Sequence, residues 1–392
     1  MSPCLRVLRV LRNRRAIIAT MRSPHVLRLL TVSVFSILVA LGLSCGGTQQ
    51  PVDNSTVASN TTNGVVNGNS GAPTSGSQTT GAPRKDLTIL AVGDINLGRA
   101  LGKRILSGQK DLPFRNVRTE ISGADVAFAN LESQISEQKG QTEGSSNYVF
   151  TGPPQGADEL ANAGFDVVST ANNHAWDFGE RALKETIDNL KRVNVLHAGT
   201  GETLDAAYAP AIVERNGWRV GFLAVTGVFN SPFEDSPARD HVAWADPVLV
   251  ALKIKELRHQ GVDVVIVSYH GGVEYSPDPD EPTRSFTRAC IDAGADAVIG
   301  HHPHVTQGVE WYNGKPIFYS LGNFVFKQFD PWTNLGLGVR LTFRDGHPMQ
   351  VEYLPVAVDF QPKFLAPDKG ADLMARVTQL SGGSLPTAPP AS

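Results

Sequence analysis

Between residues 87 and 326, short apolar runs alternate with segments of helical spacing. Leu87–Val92 opens the series as a strand and helical text follows from Gly98. Asp125–Ala129 and Asp166–Thr170 read as further strands, and Ala157–Ala163 as a short helix. Leu183, Ile187 and Leu190 mark one face of a helix. Val262–Tyr269 is a continuous apolar run, as a strand buried on both faces requires, and Ala295–Ile299 is another. Asn-Gly pairs in Arg215-Asn-Gly-Trp218 and Tyr312-Asn-Gly-Lys315 predict tight hairpins, and Asp345-Gly346 joins two more strands. Such βαβ text mixed with hairpins predicts a pair of mixed sheets covered by helices, an α/β sandwich. Ligands of such folds bind beyond the carboxyl ends of the strands.

The pattern is absent at both ends. Residues 29–43 are 15 apolar or small residues behind Arg22 and Arg28, short for a membrane span but suited to a secretory signal. Met21 is a plausible start, because residues 6–15 make the leader unusually long. Leu41-Gly-Leu-Ser-Cys45 resembles a lipobox, with Gly42 where Leu is usual, so Cys45 is expected to carry lipid. Residues 46–84 are nearly all Gly, Ser, Thr, Asn, Gln, Pro and Ala and cannot form a core. A flexible chain of that length reaches about 30–40 Å. The expected organisation is a leader over 1–45, a tether over 46–85, a folded domain over 86–365 and a frayed tail over 366–392. The expected location is outside the cytoplasm, held to the membrane by a lipid anchor.

The formal net charge of −3 hides an asymmetry. Residues 1–45 hold seven Arg and no acid, which leaves 28 Lys+Arg against 38 Asp+Glu in the remainder. That balance argues against nucleic acid as a partner, and an anionic polymer would need a local cation or a metal to bind. Three cysteines exclude a disulfide framework and a cysteine zinc site. Cys290, in helical register with Phe286 and Ala293, reads as a small core residue.

Chemistry collects at the strand ends. Asp94 follows the first strand, Glu132 the second and Asn173-His174 the third. His270 ends the 262–269 run, and His301, His302 and His304 follow 295–299. Each alone has a plainer reading, as a turn former, a helix cap or a satisfied histidine. Together, five successive strand ends carry Asp, Glu, Asn-His, His and His-x-His, and imidazole with carboxylate is a donor set for borderline divalent metals. A bridging carboxylate can hold two such ions about 3.5–4 Å apart. Arg99 is a candidate substrate contact, against the plainer reading of a solvated helix residue. Glu274–Pro282 is expected at the rim, and Trp176, His241 and Trp244 are candidate pocket walls.

The order of these motifs resembles the calcineurin-like metallophosphoesterases. Gly-Asp94, Asn130-Leu-Glu132, Asn172-Asn-His-x-x-Asp177-x-Gly179, His197-Ala-Gly-Thr-Gly, His302-Pro-His-Val and Tyr319-Ser-Leu-Gly-Asn-Phe are similar to the CapA family of capsule and poly-γ-glutamate synthesis. The resemblance implies a four-layer α/β/β/α sandwich and two divalent ions, Mn, Fe or Zn. By motif, Asp94 and His304 would bind one ion, Asn173, His270 and His302 the other, and Glu132 would bridge them. His174 matches the histidine that protonates the leaving group or steadies the transition state, with Asp177 to orient it. His301 is the odd member, expected to point outward between its neighbours, with His302 and His304 preferred as ligands over a pairing that uses His301. Two departures count against an ordinary nucleotidase-type phosphatase: Asn96 stands where Asp-x-His is usual, and Glu132 where Asp is usual. The implied partners are an anionic polymer or phosphoester substrate and membrane polymer-synthesis proteins. The alternative is an envelope accessory protein whose metal site is structural or binds polymer.

Overall fold

The computed structural model describes residues 84–109, 111–137, 149–328 and 330–390. The leader, Cys45 and the tether through residue 83 lie outside these residues. The first half runs β1 (Leu87–Ile95), α1 (Arg99–Leu106), α2 (Arg118–Ser122), β2 (Val126–Leu131), β3 (Gln134–Ile135), β4 (Thr151–Gly152), α3 (Gln155–Ala163), β5 (Val167–Ser169), α4 (Gly179–Arg192) and β6 (Leu196–Ala198). The middle adds α5 (Leu204–Ala207), β7 (Ala211–Arg215), β8 (Trp218–Thr226), α6 (Pro247–His259), β9 (Val264–His270), α7 (Glu281–Ala293) and β10 (Ala297–His301). The last part holds β11 (Val309–Tyr312), β12 (Lys315–Phe318), β13 (Asn323–Val325), β14 (Leu335–Phe343), β15 (Gln350–Ala357), β16 (Lys363–Phe364) and α8 (Ala371–Leu380).

Two large sheets result. One has the order β16-β15-β14-β1-β2-β5-β6, with β13 also on β1, and the other the order β11-β12-β10-β9-β8-β7. The period of two along each strand decides how they stack. Leu87 and Ile89 of β1 and Phe128 of β2 meet Val220, Phe222, Val264 and Ile266 between the sheets. Phe128 and Phe222 stack there with ring centres 5.2 Å apart. The alternate residues Leu90, Val92 and Ala127 pack outward under Leu101, Ile121 and Leu160 of α1, α2 and α3. On the other side, Leu223, Val265 and Val267 pack under Val250 and Ile254 of α6 and Phe286 of α7. The layers are therefore α/β/β/α. Strands buried on both faces explain the continuous apolar runs in the sequence.

The hairpin turns are as expected. Asn216 and Gly217 both have positive φ, as do Asn313 and Gly314, and their strands pair antiparallel. Cys290 is buried, and burial pushes its thiol pKa up.

The folded part is longer than expected at both ends. Arg84 lies 3.6 Å over the Trp218 ring and pairs with Asp263 and Asp345. At the other end, the segment expected to fray folds back. Leu373 and Val377, one helical turn apart on α8, are buried in the core between the sheets. Beyond it, Thr387 O accepts the Val351 N–H at 2.7 Å and Pro386 O accepts the Tyr353 hydroxyl at 2.7 Å. The Gly- and Pro-rich composition concealed an amphipathic turn and a segment held by its backbone.

Candidate metal centre

Asp94, Glu132, Asn173, His174, His270, His302 and His304 converge where the carboxyl ends of the two sheets meet, all at most 6% exposed. Several of the strands run further than the apolar runs suggested, because the last polar residues still pair. Asp94 lies inside β1, level with Asn130 of β2 and Asn323 of β13, at a point where the register shifts. His270 is the last residue of β9, and His301 of β10 pairs beside it.

Two glycines allow this crowding. A Cβ on Gly93 would stand 1.9 Å from Gly322 O, and one on Gly300 would stand 2.0 Å from Tyr319 O. Only residues without a side chain fit at these two positions, each directly before a polar residue of the centre.

The ligand atoms fall into two groups: Asp94, Glu132 and His304, and Glu132, His270 and His302. Within each group the atoms lie within 4.8 Å of one another, and Glu132 belongs to both. Glu132 Oε1 is 3.6 Å from His304 Nε2 and 3.9 Å from both His270 Nε2 and His174 Nε2. Asn173 Oδ1 lies 2.8 Å from His270 Nε2, beside the second group.

The electrostatics of these residues fit a cation. Glu132 is fully buried, and neither of its carboxylate oxygens has a hydrogen-bond partner. Burial, then the neighbouring charge of Asp94, raises its pKa well above the ordinary value. An unpaired carboxylate in such a place costs several kcal/mol, which a divalent ion offsets. His302 Nδ1 is also buried without a partner. Burial, then His304, pushes the His302 pKa down to about 3, and burial lowers that of His270, so both imidazoles are neutral and have a lone pair to give. Burial would raise the Asp94 pKa, but hydrogen bonds with His301 and His304, together with the charge of His301, outweigh it and hold Asp94 ionised.

Buried amides and one histidine hold this set in place, and sequence reasoning gave them no role. Asn130 Nδ2 donates to Asp94 Oδ1 at 2.9 Å and lies 3.2 Å from His270 Nδ1. Asn172 Nδ2 donates to Asn130 Oδ1 at 3.2 Å, and Asn323 Oδ1 lies 2.9 Å from His304 Nδ1. Asn230, on the loop after β8, accepts from Asn173 Nδ2 at 2.9 Å. His301 corrects an expectation: it is fully buried and its Nδ1 lies 3.0 Å from Asp94 Oδ1. Strand alternation does not continue past β10, since His302 and His304 have φ of 97° and 59°. Those left-handed steps turn both rings to the same centre while His301 stays beneath Asp94.

His174 Nδ1 lies 2.7 Å from Asp177 Oδ2, and Asn173 Nδ2 lies 3.2 Å from His174 Nε2. With Nδ1–H donating to Asp177, Nε2 is left as the acceptor that faces Glu132. Phe150 covers this ring, with centres 4.0 Å apart. Trp176 and His241 stack at 5.2 Å, and Phe233 stacks on Trp244 at 4.5 Å. From the acidic rim segment, Glu274 adds its charge to the field on Glu132.

Residues 88–328 match the family model described as bacterial capsule synthesis protein PGA_cap. Over 248 residues the chain is 35% identical to the PGA biosynthesis protein CapA of Bacillus subtilis (strain 168), covering 63% of this chain and 64% of that protein. It is 30% identical over 277 residues to the capsule biosynthesis protein CapA of Bacillus anthracis, covering 69% and 67%. The chain thus spans about two thirds of the length of these relatives. Among solved structures, the calcineurin-like phosphoesterase YfkN of Bacillus subtilis aligns with a TM-score of 0.44 at 16% identity, covering 76% of this chain and 97% of that one.

Proposed function

The chain belongs to the bacterial capsule synthesis protein family PGA_cap, and on that basis we propose that it acts in the synthesis or export of an anionic cell-envelope polymer through a two-metal hydrolytic centre. The relatives named for PGA and capsule biosynthesis support the polymer. The observation that carries the chemistry is Glu132, a fully buried carboxylate with two unsatisfied oxygens, shared by two clusters of ligand atoms.

In this reading Asp94 and His304 would hold one divalent ion and His270, His302 and Asn173 the other, and Glu132 would serve both groups. The donors suit Mn, Fe or Zn. Such ions supply Lewis-acid polarisation of a phosphoryl or acyl oxygen and ready deprotonation of water. The protein does the rest. Asp177 fixes the His174 ring plane and supports its imidazolium, the form in which Nε2–H would give a proton to the leaving group and return to the neutral, Nδ1-protonated ring. Phe150 covers the histidine and excludes water from one face. Asn130, His301 and Asn323 hold Asp94, His270 and His304 in register.

We place the domain outside the cytoplasm, tethered by a lipid on Cys45. The Arg-rich leader, its apolar stretch and the Ser-, Thr- and Asn-rich segment behind Cys45 support this. Labelling of cells with a radioactive fatty acid tests it: label on the wild-type chain and none on Cys45→Ala is expected, and an unlabelled wild type contradicts it.

The test of catalysis is His174→Ala. Its metal content should equal that of the wild type, while kcat on a chromogenic phosphodiester or a γ-linked glutamyl oligomer falls about 10²- to 10⁴-fold. A variant that keeps full activity, or supports polymer production in cells as well as the wild type, contradicts a hydrolytic role.

A further inference from the structure

Among the described residues, eight other than glycine have a positive φ. Four are Asp111, Asn194, Asn216 and Asn313, whose short polar side chains tolerate the left-handed region. The other four are Arg99 (54°), Tyr275 (62°), His302 (97°) and His304 (59°). For such side chains the conformation is strained and persists only where the surroundings impose it. Two of the four are ligand candidates. Arg99 and Tyr275 are not, and the proposed reaction gives neither a task.

Both stand at the lip of the centre. The Arg99 guanidinium lies 5.3 Å from the centre of the Phe150 ring, which itself covers His174. Phe150 meets Phe326 edge-on at 5.5 Å, and Phe326 lies 4.8 Å from His304. The Tyr275 ring is 6.1 Å from His304 and is 50% exposed, while its backbone N–H donates to Pro303 O at 2.8 Å. A run of neighbouring groups therefore follows one rim, with a cation at one end and an exposed phenol at the other. Three residues before Arg99 in the chain, Asn96 is only 6% exposed, and its Nδ2 has no hydrogen-bond partner, its Oδ1 being taken by the Gly98 N–H. A buried donor left without an acceptor is destabilising, and a ligand oxygen would relieve it.

Charge balance points the same way. The carboxylate of Glu132 lies in the field of Asp94, Glu274 and Asp177. Two divalent ions would do no more than cancel these four carboxylates. A further cation at the lip of so acidic a centre favours an anionic ligand, and a guanidinium matches carboxylate or phosphate geometry.

We propose that Arg99 and Asn96 form an oxyanion subsite beside the metal centre, edged by Tyr275, which holds the carboxylate or phosphate next to the reacting group. The inference rests on the metal-centre reading, and its test separates the two. The full chain, its metal counted by elemental analysis, is titrated calorimetrically with inorganic phosphate and with γ-linked diglutamate, beside Arg99→Gln and Arg99→Lys. Arg99→Gln should weaken the tighter of the two anions at least tenfold with the metal count unchanged, and Arg99→Lys should recover part of the loss. The anion that binds more tightly identifies the group held. Arg99→Gln that binds both anions as the wild type does overturns the subsite. A wild-type chain that takes up no metal overturns the metal-centre reading instead, and the same phosphate comparison on that chain still decides the role of Arg99.

Discussion

The two sheets bring opposite chemistry to their shared edge. The β1-containing sheet contributes the acids, Asp94 from β1 and Glu132 just past β2. The β9-containing sheet contributes imidazoles, His270 from β9 and His302 and His304 just past β10. Neither sheet alone carries a ligand set, and each cluster draws on both. The apolar face that packs Phe128 on Phe222 therefore also sets the distance between acids and imidazoles. The acids bear the cost of this arrangement. Glu132 is buried without a hydrogen bond, whereas His270 and His302 are simply held neutral.

That asymmetry can be broken from either side. The largest effect is expected at the residue both clusters share. Glu132→Ala should abolish metal binding, read by elemental analysis, while the metal-free variant melts no lower than the metal-free wild type because a buried carboxyl without a hydrogen-bond partner is gone. A variant that still binds metal at full stoichiometry would remove Glu132 from the centre. On the other side, His304→Ala should cost one ion per chain and spare the group built on His270 and His302; loss of neither ion would contradict its assignment. A smaller effect is expected from the amide that spans the two sheets. Asn130 touches Asp94 and His270 but belongs to neither ligand group, so Asn130→Ala should weaken metal binding about 10- to 100-fold without changing the number of ions. Equal affinity in a titration would make Asn130 a packing residue only.

The smallest effect is in pH. Glu132 has its pKa raised above the ordinary 4.5 in the metal-free fold, so below that raised value it holds a proton that a metal must displace. Metal binding should release protons and tighten as pH rises through that raised value. The sign is opposite for Asp94, whose lowered pKa leaves it already ionised and whose stabilising contacts are lost only as pH falls through the lowered value. Affinity that is flat or falls with rising pH in this range would contradict the state assigned to Glu132.

Much of the architecture could be read from the chain. The 262–269 run marked a central strand, and the Asn-Gly pairs marked two hairpins, because these signals are local. The residues of the centre could be nominated for the same reason: a strand that ends in His270 or Asp94 announces itself in one dimension. What could not be read depends on a partner distant in sequence. Asn130 and Asn323 gain meaning only from Asp94, His270 and His304 across the seam. Phe150 and Asn230 lie in loops with no periodic signal. Strand alternation alone points His301 outward, but the φ of 97° at His302 ends the alternation and leaves His301 beneath Asp94. The last helix did leave a trace, since Leu373 and Val377 are spaced for one face, but the Gly- and Pro-rich text around them obscured it.

The central claim is that the seam between the sheets is a two-metal centre. The direct measurement is the metal content of the full-length chain, purified without chelator and offered Mn, Fe and Zn in turn. Two ions per chain for at least one metal is the predicted result. No bound ion with any of them would contradict the account, and would leave Glu132 as a buried carboxylate without a reason to be there.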